Sequence, residues 1–267
     1  MKSFSRRRAM AVGAATLAAP ALTTRVNAKS SGASIVLVHG AWHGAWAWTD
    51  VVPLLTQMGF KVSTLDLSGL GANYHRQAPE VGLYVHAQDV LNHLFFNDID
   101  GALVVAHSYG GGVLSEALVG DTEGRIGHAL YLDAFRLEEG QSVAGVQSDE
   151  LVDGMKQAQS KGQMIPPRPV ETWEAIWGMV GPAVQFAEPR VKPMSPNCFP
   201  ETVTGDPFSG DRRYTYMRCS QNDNDHFKGF LKASEADPRF DATEVDGHHN
   251  IMVLDPHRMA DAISAVA

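Results

Sequence analysis

The densest run of reactive residue types is Leu103-Val104-Val105-Ala106-His107-Ser108-Tyr109-Gly110-Gly111-Gly112, in which an apolar, β-branched stretch meets a serine and then three glycines. A serine at a sharp turn between a buried strand and a helix is the pattern of a nucleophile elbow. Small residues at 106 and 110 leave room for a turn that holds the serine in strained backbone geometry. Glycine is usual at the first of these positions; Ala106 stands there and is small enough to serve. A serine that merely caps a helix would need neither the preceding strand nor the run of glycines.

A serine hydroxyl is a weak nucleophile unless a base takes its proton and donors stabilise the oxyanion that follows. The run His39-Gly40-Ala41-Trp42 ends another apolar stretch, and its loop can aim the Ala41 amide at the site, paired with the amide of Tyr109. The base comes from among eleven histidines. With an elbow of this kind the chain order is serine, acid, histidine, which leaves His226, His248, His249 and His257. Of these, His248 and His249 lie in Asp246-Gly247-His248-His249-Asn250, directly after the last strand pattern. Adjacent histidines without spaced carboxylates or cysteines are a weak metal signal. No metal or cofactor is needed for this chemistry. Asp133, at the end of another strand pattern, is positioned to orient an imidazole.

Elements able to position these residues are written in the alternation of short apolar runs with helix-length segments, the pattern of an α/β protein. Ser34–Val38, Lys61–Leu65, Leu103–Ala106, Ala129–Leu132, Arg213–Met217 and Asp241–Val245 read as strands. Several end in polar residues, as strands of an open parallel sheet do where function gathers at their carboxyl ends. Trp46–Met58, Tyr84–Phe96, Gly111–Val119 and Pro256–Val266 read as helices. From about 134 to 210 the alternation dissolves into proline-rich sequence with short helical stretches at Asp149–Ser160 and Val170–Val180, which reads as an inserted lid. The expectation is a mostly parallel, doubly wound sheet in one domain, 29–267.

The His39–Trp48 run, the Ser108 elbow and Tyr131-Leu132-Asp133-Ala134-Phe135 resemble the plant methylesterase and hydroxynitrile-lyase branch of the α/β-hydrolases, with its bacterial esterase relatives. The resemblance runs from about Ser34 to Val266 and is weak through the lid. In that family the catalytic histidine stands seven residues before a proline and three before a methionine. Pro256 and Met252 then select His249. Many relatives carry the acid in a Cys-Ser/Thr-x-Asp pattern, whereas this chain reads Cys219-Ser220-Gln221-Asn222. Asp223 is therefore the alternative acid and Asp133 the favoured one. The resemblance implies cleavage of a carboxylic ester through a Ser108–His249–Asp133 triad and an acyl-enzyme. The lyases carry a lysine after the catalytic histidine, where Asn250 stands here, which disfavours that reaction. The same fold and triad would also suit an acyltransferase, and the fold alone a non-catalytic protein that binds a small ligand. Trp42, Trp173 and Trp177 are expected to bind the apolar part of a small-molecule ester, although lid aromatics equally well form a core of their own.

At 267 residues and 44% hydrophobic content the chain can bury a substantial core. Ser5-Arg6-Arg7-Arg8, the uncharged Ala9–Thr24 run and Val26-Asn27-Ala28 read as an export signal of twin-arginine type over 1–28. The protein is thus expected in the periplasm or secreted, with no membrane association once the signal is removed. That removal takes away five basic and no acidic residues, moving the formal charge from −8 to −13. An acidic surface repels nucleic acid. Cys198 and Cys219 are the only cysteines, and in an oxidising compartment they either pair or lie apart as buried thiols.

Overall fold

A computed structural model describes residues 32–267; the expected export signal lies outside the described residues. The centre of the molecule is one six-stranded sheet. Its strands are β1 (Ser34–Val38), β2 (Lys61–Thr64), β3 (Ala102–His107), β4 (Ile126–Leu132), β5 (Arg213–Cys219) and β6 (Phe240–Val245). They pair in the order β2-β1-β3-β4-β5-β6, every pair parallel.

Helices cover both faces, which is why the strands read as continuous apolar runs rather than alternating ones. Ile35, Leu37, Leu103, Val105, Leu130 and Leu132 face α1 (Val51–Gln57) and the final helix (Pro256–Val266). Val36, Val38, Val104, Ala106, Ala129 and Tyr131 face the side covered by α2 (Leu83–Phe96), α3 (Gly110–Gly120) and α7 (Asp225–Glu235). The period-two pleat thus sorts one continuous run into two cores.

Trp46–Met58 and Val170–Val180 each divide, and one helix is added. Trp46–Met58 splits into a short 3-10 turn, Ala45–Trp48, and α1. Helix α7 is an addition to the helices read from the sequence, and Asn224 caps it by accepting from the His226 amide.

Between β4 and β5 lie α4 (Asp149–Ser160), α5 (Trp173–Trp177) and α6 (Pro182–Ala187). The opening of this segment is not a separate layer, because Ala134, Phe135, Leu137, Val143 and Ala144 are buried in the main core. Farther on, Trp173, Trp177, Met179, Ala187 and Val191 form a small core of their own.

Strand order reverses at β1, since β2 lies on one side of it and β3 on the other. In open parallel sheets ligands bind beyond the carboxyl ends at such a switch point. Register lines those ends up: Val38 pairs with Ala106, His107 with Leu132, Leu132 with Met217, and Cys219 with Val245.

Candidate active site

Ser108 follows β3 with φ 56°, in the left-handed region that side chains rarely adopt. Packing holds it there. A Cβ on Gly40 would come within 3.0 Å of the Ser108 Cβ, and one on Gly110 within 2.8 Å of the His39 carbonyl oxygen. The loop after β1 and the start of α3 therefore approach closely only because both positions are glycine. The Ser108 carbonyl accepts from the Gly111 and Phe135 amides, tying the turn to the chain after β4. Among the described residues, the non-glycine residues with positive φ are Trp42, Asp98, Ser108 and Asp133. All but Asp98 stand at this site, where strain of about 1–3 kcal/mol each persists only if the surroundings enforce it.

Three side chains from three strand ends form a continuous series. The Ser108 Oγ lies 3.1 Å from His249 Nε2, and His249 Nδ1 lies 2.6 Å from Asp133 Oδ2. Asp133 is wholly buried and acts only as an acceptor when ionised. Its Oδ1 accepts from the Cys219 amide at 3.1 Å and its Oδ2 also accepts from Asn222 Nδ2 at 2.5 Å. An acceptor on Nδ1 fixes the tautomer, so Nε2 is free to accept the serine proton.

His249 is buried while His248 beside it is exposed. The Phe227 ring stacks on the His249 imidazole at 5.4 Å and 12°. His107 donates from Nε2 to the His249 carbonyl at 2.9 Å. Burial, with His249 and His43 nearby, holds His107 well below the usual imidazole range, so it is uncharged. Sequence reasoning misses both Phe227 and His107. The position of His107 directly before the serine is the one signal that could have found it.

The loop after β1 is shaped by buried imidazoles. His43 donates from Nδ1 to the Ala41 carbonyl at 2.7 Å and faces the Asn250 side-chain amide through Nε2 at 3.0 Å. Burial lowers His43 to about 4 and His39 to about 3. Neutral His39 accepts from the Leu67 amide through Nε2. Among the described residues no acceptor meets the amides of Ala41 or Tyr109, and both residues line the cavity beside Ser108. The Tyr109 side chain turns the other way, its hydroxyl 2.9 Å from His86 Nδ1.

That cavity has a volume of about 540 Å³. Trp42, Phe135, Trp177, Phe199 and Phe227 form aromatic walls above Ser108 and His249, with Ile165 and Pro166 from the lid. Trp42 joins lid to sheet: its indole N–H donates to the Ile165 carbonyl and its own carbonyl accepts from the Lys192 amide.

The Trp173 expectation is revised, and the two open alternatives, Asp223 and the cysteine pairing, take definite places. Trp173 does not line the cavity; it is buried beside Trp177, ring centroids 4.8 Å apart, with its indole N–H on the Arg168 carbonyl. The short helix α5 points one tryptophan at the cavity and spends the other on packing. Asp223, the alternative acid, lies on the cavity rim with its side chain 96% exposed and paired with Lys228. The start of α7 turns it toward solvent, and Lys228 holds it below the usual carboxylate value. Cys198 and Cys219 are both free and buried, so the choice between a disulfide and two separate thiols falls to the thiols. Asn250 is fully buried against His43 and Met179.

Comparison with known proteins agrees with this architecture. A carbendazim hydrolyzing esterase from Nocardioides sp. (strain SG-4G) is 27% identical over 246 residues, covering 88% of this chain and 99% of that protein. Pheophorbidase from Raphanus sativus is 35% identical over 115 residues, 39% of this chain and 40% of that one. An extracellular alpha/beta-hydrolase from Paenibacillus, described as sharing structural and functional homology with tobacco salicylic acid binding protein 2, superimposes with a TM-score of 0.73. It covers 87% of this chain and 98% of its own at 20% identity, a likeness of fold. A model of the alpha/beta hydrolase family matches residues 35–262, and the chain therefore belongs to that family.

Proposed function

We propose that this protein is an exported serine esterase that cleaves a small carboxylic ester through an acyl-enzyme. The observation that carries this reading is the hydrogen-bonded series from Ser108 Oγ through His249 to buried Asp133, opening on an apolar cavity. Esterase-named relatives support the same class.

In this reading Ser108 Oγ attacks the ester carbonyl while His249 Nε2 takes its proton. Asp133 stabilises the imidazolium that results. The amides of Ala41 and Tyr109 receive the oxyanion, and His249 then gives its proton to the departing alkoxide. Water, deprotonated by the same imidazole, attacks the acyl-enzyme and releases the acid. The aromatic walls favour an ester with an apolar or aromatic portion. Asn250, held against His43 and Met179, supplies no cation beside Ser108, which favours hydrolysis over the lyase reaction.

The test is hydrolysis of short-chain p-nitrophenyl esters by the mature protein and by Ser108→Ala, with circular dichroism on both. Activity that disappears in a folded variant is the expected result; an inactive, folded wild type would move the weight to a ligand-binding protein. Export is tested separately, by fractionating cells that express the full chain and an Arg6→Lys/Arg7→Lys variant. Retention of that variant in the cytoplasm is expected.

A further inference from the structure

Asn222 sits where two members of the site meet. Its Nδ2 is 2.5 Å from Asp133 Oδ2 and 3.2 Å from His249 Nδ1. The orientation of its amide follows from its neighbours. The side-chain oxygen accepts from the Asn224 amide at 3.2 Å, so the nitrogen must face the carboxylate. His249 Nδ1 carries the proton directed at Asp133 Oδ2, so Asn222 and His249 both donate to one oxygen. The 3.2 Å approach between the two donors is a consequence of that sharing and not a bond.

The arrangement is nearly symmetric about His249. Asp133 hangs from the end of β4 and Asn222 from the turn after β5, neighbouring strands in the sheet. The other oxygen of Asp133 rests on the Cys219 amide, and the oxygen of Asn222 on the Asn224 amide. Aspartate and asparagine have the same shape and differ in one atom, which decides whether that position accepts or donates. Exchanging the two would put an acceptor within 3.2 Å of His249 Nδ1 at position 222. At position 133 it would leave an amide that still accepts from Cys219 through its oxygen and donates to the relocated carboxylate.

From this the geometry points to Asn222 as a positioning residue that holds Asp133 against His249, and to positions 133 and 222 as an interchangeable acid–amide pair. The kinetic part of this inference rests on the esterase reading; the structural part does not. Asn222 acts through Asp133, fixing the carboxylate so that a single oxygen faces the imidazole.

The experiment compares wild type, Asp133→Asn, Asp133→Asn/Asn222→Asp and Asn222→Leu. It measures kcat and KM on a p-nitrophenyl ester, together with the downfield proton NMR signal of a His249 Nδ1–H shared with a carboxylate. Asp133→Asn is expected to lose about 10³- to 10⁴-fold in kcat and the downfield signal. The double variant is expected to recover about 10²-fold of that loss and to regain the signal. Asn222→Leu is expected to lower kcat about tenfold with KM unchanged. A folded double variant no better than Asp133→Asn on either readout overturns the interchange. If the double variant does not fold, Asn222→Leu decides, and an unaltered kcat and signal there overturn the role of Asn222. If wild type hydrolyses no ester, the esterase reading fails and the NMR signal alone judges the pair; a wild type without that signal overturns it.

Discussion

The carboxyl ends of β3, β4 and β6 and the lid opposite them hold their side chains by different means. At the strand ends each functional group is fixed by backbone conformation and by paired polar contacts. Ser108 and Asp133 have positive φ, His249 is tied through its carbonyl to His107, and Asp133 accepts from three donors. In the lid, α5 and α6 are short, and packing among Trp173, Trp177, Met179, Ala187 and Val191 holds them. The two regions meet at Trp42, whose backbone belongs to the loop after β1 and whose ring contacts Trp177 and Phe199. The contrast teaches that rate should depend on the first region and substrate fit on the second.

The largest expected effect tests the first half of that contrast. His249→Ala should lower kcat by about 10⁴-fold or more while KM stays within a few-fold and the circular dichroism spectrum is retained. A small loss would mean that the strand-end series is structural and not reactive. Next in size, Trp173→Ala should remove about 3–5 kcal/mol of packing from the lid core. It should be read first as increased proteolysis of the lid and only then as lost activity. Its neighbour Trp177 sharpens the comparison, because it lines the cavity. Trp177→Leu should raise KM for aromatic esters more than for acetate esters, and an equal effect on both would remove Trp177 from substrate contact.

A fourth expectation concerns the buried imidazoles of the β1 loop. In the unfolded chain they take up protons near the ordinary imidazole value of 6.5, while burial lowers His43 to about 4 and His39 to about 3 in the folded protein. The unfolded state then binds more protons below about pH 6.5, so stability rises with pH in this window. Their contribution is complete above about pH 6.5 and is lost as pH falls toward about 3. Urea midpoints from about pH 7.5 to about 4 should decline, and a flat profile would contradict a neutral, buried pair. The smallest effect is expected at the rim: Asp223→Asn should change kcat/KM by no more than about twofold, because its charge is exposed and screened.

Much of the frame was legible because a parallel sheet buried on both faces leaves long apolar runs, and each run announces its own end with polar residues. Ser108 could be read from the strand and the glycines that bracket it, all of them close neighbours in the chain. In the lid, Asp149–Ser160 was readable as a helix and Val170–Val180 as a short helical stretch, and the rest only as irregular sequence. Trp173 and Trp177 are one helical turn apart on one apolar stripe, so their spacing could not say which would face the cavity. The start of α7 was opaque for another reason: Asn and Asp both cap helices and fill loops, and only the packing of Phe227 behind them separates the two outcomes.

The amino-acid sequence by itself determined the strand runs, the glycine-rich turn and the small set of serine, histidine and acid residues that could work together. These are local properties, set by side-chain size, backbone freedom and periodicity. Which of Asp133 and Asp223 lies against His249, the separation of the two cysteines and the placing of Asn222 beside Asp133 and His249 were decided only in the tertiary structure. Each depends on distances between segments far apart in the chain, and those distances follow from which strands become neighbours and in what register.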